Sequence, residues 1–425
     1  MNNENSETRN YLPLALAAGL GSMLGSGIIV SLSATIPVWQ KGLSLTNGQV
    51  GILSGALTFA IAFGSIFGGK IAESIGLVKV FNWINLFYAI GTIICILSNS
   101  FNLLLLGVVI AGAASGADLP TSLTVVSHDS PDEATAARLV STTQIFWQVG
   151  IFVSYICSFV VSRMSGATGA RIVFIILTVF ALITWLWRTF SPRFKNFHEA
   201  GNRKYAEGTD ESSDQNQNKK SLIGVLFGQE KGKYLSIFTG ILIFYILWNL
   251  LANTWGQFQT FMMVKADASQ SLATGSGLVL NIVAFIVSIL FASIAGGKKR
   301  NIAFYIGTFI MLIALVGLAV GGTHLWVIIF AIGFYNLGTP LAGEALYKVW
   351  TQESFPIEVR ATAQGIINGI SRICCALFAF VTPALVLPTK IRTTMWGFVV
   401  AIIISFIAGL AVISLQKKYH ISSKD

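Results

Sequence analysis

Residues 116–131 read GADLPTSLTVVSHDSP, and residues 343–356 read GEALYKVWTQESFP. In the first stretch Asp118 follows seventeen uncharged residues that begin at Phe101, and it stands thirteen positions before Pro131. In the second, Glu344 stands twelve positions before Pro356. An arginine follows each proline, Arg138 and Arg360. An acid at the same place in two apolar segments, with the same sequel, is the mark of an internal repeat.

The segments around these two stretches define the class. Of 425 residues, 54% are hydrophobic and 11% charged, and the mean hydropathy is +0.71, outside the range of soluble domains. A helix crossing the ~30 Å hydrocarbon core needs about 20 apolar residues. Twelve stretches qualify, at 12–38, 49–70, 80–98, 102–127, 138–162, 170–188, 235–262, 272–296, 302–321, 325–350, 361–386 and 394–415. The fold class expected is an all-α membrane protein of two pseudo-symmetric six-helix bundles. Its parts are an N-terminal tail (1–11), a first bundle (12–190), a linker (191–234), a second bundle (235–415) and a C-terminal tail (416–425). The linker contains EGTDESSDQNQNKK, a composition unsuited to burying a core, and is expected to be mobile.

The first segment is longer than a signal-peptide core and follows a polar start, so it is expected to stay in the protein. Most of the 28 Lys and Arg residues then fall on the side of both termini, including GGKKRN at 296–301 and QKKYH at 416–420. By the positive-inside rule that side is the cytoplasm of a plasma membrane, and a bacterial one is expected. The formal net charge of +10 thus reports orientation in a lipid bilayer, with no nucleic-acid partner. The four cysteines and four histidines lack metal-ligand spacing, so no metal or cofactor is expected. No nucleophile–base arrangement suggests an enzyme, and a monomer is the expected unit. Trp39, Trp83, Trp185, Trp187, Trp326, Trp350 and Trp396 fall at helix ends, as in interfacial belts.

Two motifs bring a family into view. GGKIAESIGLVKV at 68–80 resembles the loop motif after the second helix in the major facilitator superfamily, with Gly69, Glu73, Gly76 and Lys79 matching, and Ser74 and Leu77 replacing basic residues. ESFPIEVRATAQG at 353–365 is similar to the element after helix 10 of that superfamily's sugar-porter and metabolite:proton symporter branch. QIFWQVG at 144–150 matches the branch's helix 5 through Gln144 and Gly150, while Gly343 stands where the branch carries a cavity tryptophan. The resemblance covers essentially the whole chain. It implies alternating-access transport, with Glu73, Lys79, Arg138, Glu353 and Arg360 as gate residues and Glu353 and Arg360 as partners. Solvated charges at helix ends are the plain alternative.

Ionisable groups at membrane depth are functional candidates. Asp118, placed near the bilayer middle, is expected to carry a coupling proton, to hold a buried partner or to contact the substrate directly. Glu344 is the second proton candidate, although Lys348 lies one turn on and can pair with it. Arg372 keeps its charge and requires Glu344, Asp118 or an anionic substrate opposite it. Amides suit a hydroxylated ligand, because each offers donor and acceptor. Gln144 and Gln148 share a face of helix 5. Asn249, Asn253 and Gln257 recur every four residues on helix 7, beside Trp248 and Trp255. Asn368 stands one turn before Arg372. Cargo is expected to be a small polar metabolite moved with a proton, a sugar or polyol first and a sugar acid or other small carboxylate second. A transporter-like sensor is the reading from another class.

Overall fold

The computed structural model describes residues 11–131, 133–209, 222–294, 299–322 and 324–421, and among them every regular element is a helix. The chain divides into two compact units, Met1–Gln217 and Asn218–Asp425. In the first unit the helices are α1 (Leu12–Gly42), α2 (Asn47–Ile75), α3 (Leu77–Leu97), α4 (Phe101–Asp129), α5 (Glu133–Val160), α6 (Thr168–Phe190) and α7 (Pro192–Thr209). The second contains α8 (Leu222–Phe227), α9 (Lys231–Lys265), α10 (Gln270–Ile294), α11 (Lys299–Gly321), α12 (Leu325–Gly338), α13 (Glu344–Ser354), α14 (Ile357–Leu385) and α15 (Ile391–Lys418). Among the described residues ten helices are long and apolar enough to cross a membrane, and the shorter apolar helices Ile145–Val160 and Leu325–Gly338 stand at the two remaining expected positions.

Local chemistry sets the helix starts. Thr46 and Gln49 form a reciprocal capping box ahead of α2, and Ser100 caps α4 by accepting from the Leu103 amide at 3.4 Å. The expected single span 325–350 is instead two helices. The intervening TPLAG contains Pro340, which donates no amide bond, and Gly343, whose Cα lies against the Trp248 indole with no room for a β-carbon.

Within each unit the sixth membrane helix packs on the first and third, α6 on α1 and α3, and α15 on α9 and α11. An arginine near the start of that helix caps the third. Arg171 donates to the Ser98 carbonyl at 2.8 Å and to Asn99 Oδ1 at 2.8 Å. Arg392 donates to the Ala319 and Val320 carbonyls at 3.3 and 2.7 Å. These bonds satisfy the orphan carbonyls at the ends of α3 and α11.

Two expectations are corrected. Trp39 and Trp350 are fully buried, not interfacial: Trp39 meets Phe174 edge-on at 5.7 Å, and Trp350 packs on Phe244 and Phe304. Trp83, Trp326 and Trp396 are exposed, as an interfacial position requires. Secondly, the start of the expected mobile linker is the packed helix α7. Phe194, His198 and Gly201 make its buried stripe, and Phe194 joins Leu14, Ala15, Phe81, Val125 and Leu139 in one core cluster. Polar average composition conceals this helical periodicity. Asp129 at the end of α4 receives His128 Nδ1 at 2.7 Å and His198 Nδ1 from α7.

Gly201 lies so close to His128 and Asp129 that a β-carbon would collide with them. Gly201→Ala is therefore expected to lift α7 from α4, at about 1–3 kcal/mol, the usual cost of overpacking. Limited trypsinolysis at the exposed Lys195 and Arg203 should accelerate; unchanged protection would show that α7 docks without this contact.

Candidate functional site

In the second unit α9, α13 and α14 bring polar and aromatic groups together. Asn249 donates to Ser371 Oγ at 2.8 Å, and the Tyr245 hydroxyl reaches Asn368 Oδ1 at 3.4 Å. Tyr245 stacks on Tyr347 with ring centroids 3.8 Å apart and on Trp248 at 5.8 Å. Tyr347 also bonds Tyr245 and Gln364. One turn along α9 from Asn249, Asn253 accepts from Gln257 at 2.8 Å. Trp248 is 5% exposed and Trp255 2%, the latter tilted onto Tyr335, so neither indole presents an open face here.

Glu344 is paired with Lys348 at 2.7 Å, as the four-residue spacing allows, and both side chains are substantially exposed. Arg372 is half-buried and midway along α14. It acts electrostatically on Glu344, Tyr245 and Tyr347, yet among the described residues it forms no ion pair. Its side of the helix also carries Gly365 and Gly369, next to which a β-carbon would meet nothing. A guanidinium beside open space, flanked by Asn368 and Ser371, can donate to hydroxyl or carboxylate oxygens.

The first unit holds a different arrangement. Asp118 is 2% exposed and is gripped by Arg188 of α6, with Nη1 on Oδ1 at 2.6 Å and Nη2 on Oδ2 at 3.3 Å. Ser122 donates to Oδ1 at 3.0 Å. Arg188 also donates to the Phe81 carbonyl at 3.0 Å, the Ala17 carbonyl at 2.8 Å and Ser122 Oγ at 3.1 Å, with its guanidinium 4.0 Å from the Phe81 ring centre. The carboxylate lies level with Ala17 and Gly21 of α1, and on α4 Asp118 stands eleven residues before the last, Asp129, ~17 Å at 1.5 Å per residue. Gln148 is half-buried on α5.

At the expected gates, Glu353 forms a two-bond pair with Arg300, at 2.7 and 3.0 Å. Arg300 had the look of a membrane-surface anchor only. Lys79 is exposed on the first turn of α3. The side chains of Glu73, Arg138, Gln144 and Arg360 lie outside what is described. Sequence reading missed Arg188, Arg300, Tyr245, Tyr347 and Ser371. For Tyr245 and Ser371 a signal existed: Tyr245 stands one turn before Asn249, and Ser371 is adjacent to Arg372. Arg188 and Arg300 sit among terminal basic residues that look like membrane anchors.

Two units of long apolar helices, with polar and charged side chains turned inward at membrane depth, define a multi-pass membrane transporter rather than an enzyme. The chain belongs to the major facilitator superfamily, whose family model matches residues 14–379. It is 27% identical over 417 residues to the minor myo-inositol transporter IolF of Bacillus subtilis (strain 168), covering 96% of this chain and 92% of that protein. It is 29% identical over 171 residues to the probable polyol transporter 4 of Arabidopsis thaliana, covering 40% of this chain and 32% of that protein. In fold it resembles a crystal structure of a D-xylose-proton symporter, with a TM-score of 0.73 and 14% identity over 97% of this chain and 98% of that one.

Proposed function

We propose that this transporter moves a sugar or cyclic polyol together with a proton, by alternating access, across a bacterial plasma membrane with both termini in the cytoplasm. The observation that carries the cargo class is the Asn249–Ser371 and Tyr245–Asn368 set on α9 and α14, beside the Asn253–Gln257 pair. Amides and hydroxyls that already bond one another can exchange those bonds for a polyol's hydroxyls at little net cost. The relatives named for myo-inositol and polyols support the same class. Gln148 of the first unit stays a cargo-contact candidate on its amide chemistry alone, with Asp118 and Glu344 as the proton candidates.

One observation favours a second reading, a sugar acid. Asp118 is taken by Arg188 and Glu344 by Lys348, which leaves Arg372 for a carboxylate on the cargo. Purified protein in proteoliposomes separates the possibilities. Labelled myo-inositol is expected to exchange in counterflow and to accumulate when the outside is acidified, and a protonophore should collapse the accumulation. Exchange of D-glucuronate in preference to myo-inositol would move the assignment to the acid. Binding of either probe without exchange would indicate a sensor and overturn the proposal.

A further inference from the structure

We infer that the second unit binds an anionic phospholipid, with one acyl chain in a groove between α11 and α15 and the phosphate against Lys299, Lys417 and Lys418. Tyr305, Ile306, Phe309 and Leu312 of α11 and Ile403 and Phe406 of α15 line a cavity of about 430 Å³. Its wall is apolar almost throughout, and the Thr308 hydroxyl within it is already used, donating to the Phe304 carbonyl at 2.9 Å. Such a lining suits a hydrocarbon chain and not a hydroxylated cargo. Tyr305, Ile306, Phe309 and Ile403 are exposed, and an exposed apolar patch of this kind on a membrane protein is a surface for lipid. The site is independent of what the transporter carries.

Charge at the end of the groove selects the kind of lipid. Lys299 opens α11, and Lys417 and Lys418 close α15; all three are exposed and form no ion pair among the described residues, Lys418 lying 5.5 Å from the Tyr419 ring centre. The two helix ends meet through α13, where Arg300 holds Glu353 at 2.7 and 3.0 Å and Gln416 donates to Ser354 Oγ at 3.0 Å. Those contacts engage Arg300 and leave the lysines. Counted from Lys299 at 1.5 Å per residue, the groove begins about 9 Å along α11 at Tyr305 and ends about 20 Å along it at Leu312. One leaflet supplies about 15 Å of hydrocarbon, so a chain whose phosphate meets the lysines runs at the depth of the groove. Lysines clustered at a helix end attract anionic headgroups.

The first unit shows that the fold does not require the groove. Seventeen residues after the capping Arg171 stands Arg188, against the Phe81 ring; seventeen after the capping Arg392 stands Gly409, against the Phe304 ring. Trp83 is two residues beyond Phe81, Trp185 is three before Arg188, and these indoles meet with ring centroids 5.8 Å apart. The matching residues of the second unit are Ile306 and Phe406, and both line the groove. Phe406 turns to Phe304 and Tyr305, at 5.3 and 6.1 Å. A junction that one unit fills with two indoles is thus left to smaller side chains in the other.

The test uses full-length protein in detergent, stripped of lipid and titrated with phosphatidylglycerol or with phosphatidylcholine of the same chains, read by native mass spectrometry and thermal melting. One phosphatidylglycerol is expected to remain bound and to raise the melting temperature by about 2–4 °C, while phosphatidylcholine does neither. Lys299→Gln/Lys417→Gln/Lys418→Gln should weaken phosphatidylglycerol about fivefold per lysine, ~100-fold in all. Ile306→Trp, which supplies the indole present at the matching position of the first unit, should close the groove and abolish the bound lipid while the lipid-free melt stays near wild type. Should that variant fail to fold, Ile403→Trp fills the groove from α15 and is read in the same way. Equal binding of the two lipids overturns the proposal, as does unchanged phosphatidylglycerol binding in the lysine variant or in a folded groove-filling variant. Wild-type dimers that a groove-filling variant prevents would give the groove to a second copy of the chain and also overturn it.

Discussion

Arg188→Met, made alone, is expected to be the most damaging single substitution in the first unit. It removes the cation from a carboxylate with 3% side-chain exposure and leaves Ser122 as its described donor. Breaking a buried pair from one side typically costs about 3–5 kcal/mol, because the remaining charge is left in a medium that solvates it poorly. The Ala17 and Phe81 carbonyls also lose their donor, adding a smaller cost. Adding Asp118→Asn should recover most of the loss, so the two substitutions are strongly non-additive. A thermal melt of the four proteins of this cycle in detergent measures the coupling directly. Additive losses would show that the two side chains act independently.

Arg372→Ala is expected to do the opposite, leaving the melt close to wild type while cargo binding falls. No described carboxylate depends on Arg372 for its ion pair, since Glu344 has Lys348 and Asp118 has Arg188. Loss of a hydrogen bond from a charged donor to a hydroxyl costs about 1.5–3 kcal/mol, roughly 10- to 150-fold in affinity. Loss of a partner for a buried carboxylate costs about 2–5 kcal/mol and extends into the thousands-fold. The size of the drop, measured by calorimetry with myo-inositol and D-glucuronate, therefore also reports the cargo's charge. A fall in melting temperature with unchanged affinity would remove Arg372 from the cargo site.

The path from Asp118 to these experiments shows how far residues read in order can go. Its depth in an apolar run marked it as important, because a charge there needs a reason. Its partner lay seventy positions away at the end of α6, where Arg188 resembles any arginine anchoring a helix to the membrane surface. Glu344 is the contrasting case: Lys348 is one turn away on the same helix, and helical geometry alone predicts the contact that forms. Likewise the Asn253–Gln257 bond follows from spacing, whereas Asn249–Ser371 and Glu353–Arg300 join different helices. His198 shows the limit in a polar segment, for nothing in its neighbours indicates that it is buried against Asp129.

By itself the sequence determined the membrane class, the positions of the apolar segments, the division into two repeats and the family. All of these depend on local hydrophobicity, on helix length against bilayer thickness, or on motifs contiguous in the chain. Only the tertiary structure decided which charges compensate which, that α7 is a packed helix, that the span expected at 325–350 breaks at TPLAG, and that Arg372 forms no ion pair among the described residues. The physical reason is the range of the forces. Hydrophobic periodicity and i, i+4 contacts are written along the chain, but an ion pair is decided over a few ångströms between helices that the chain order separates by tens of residues.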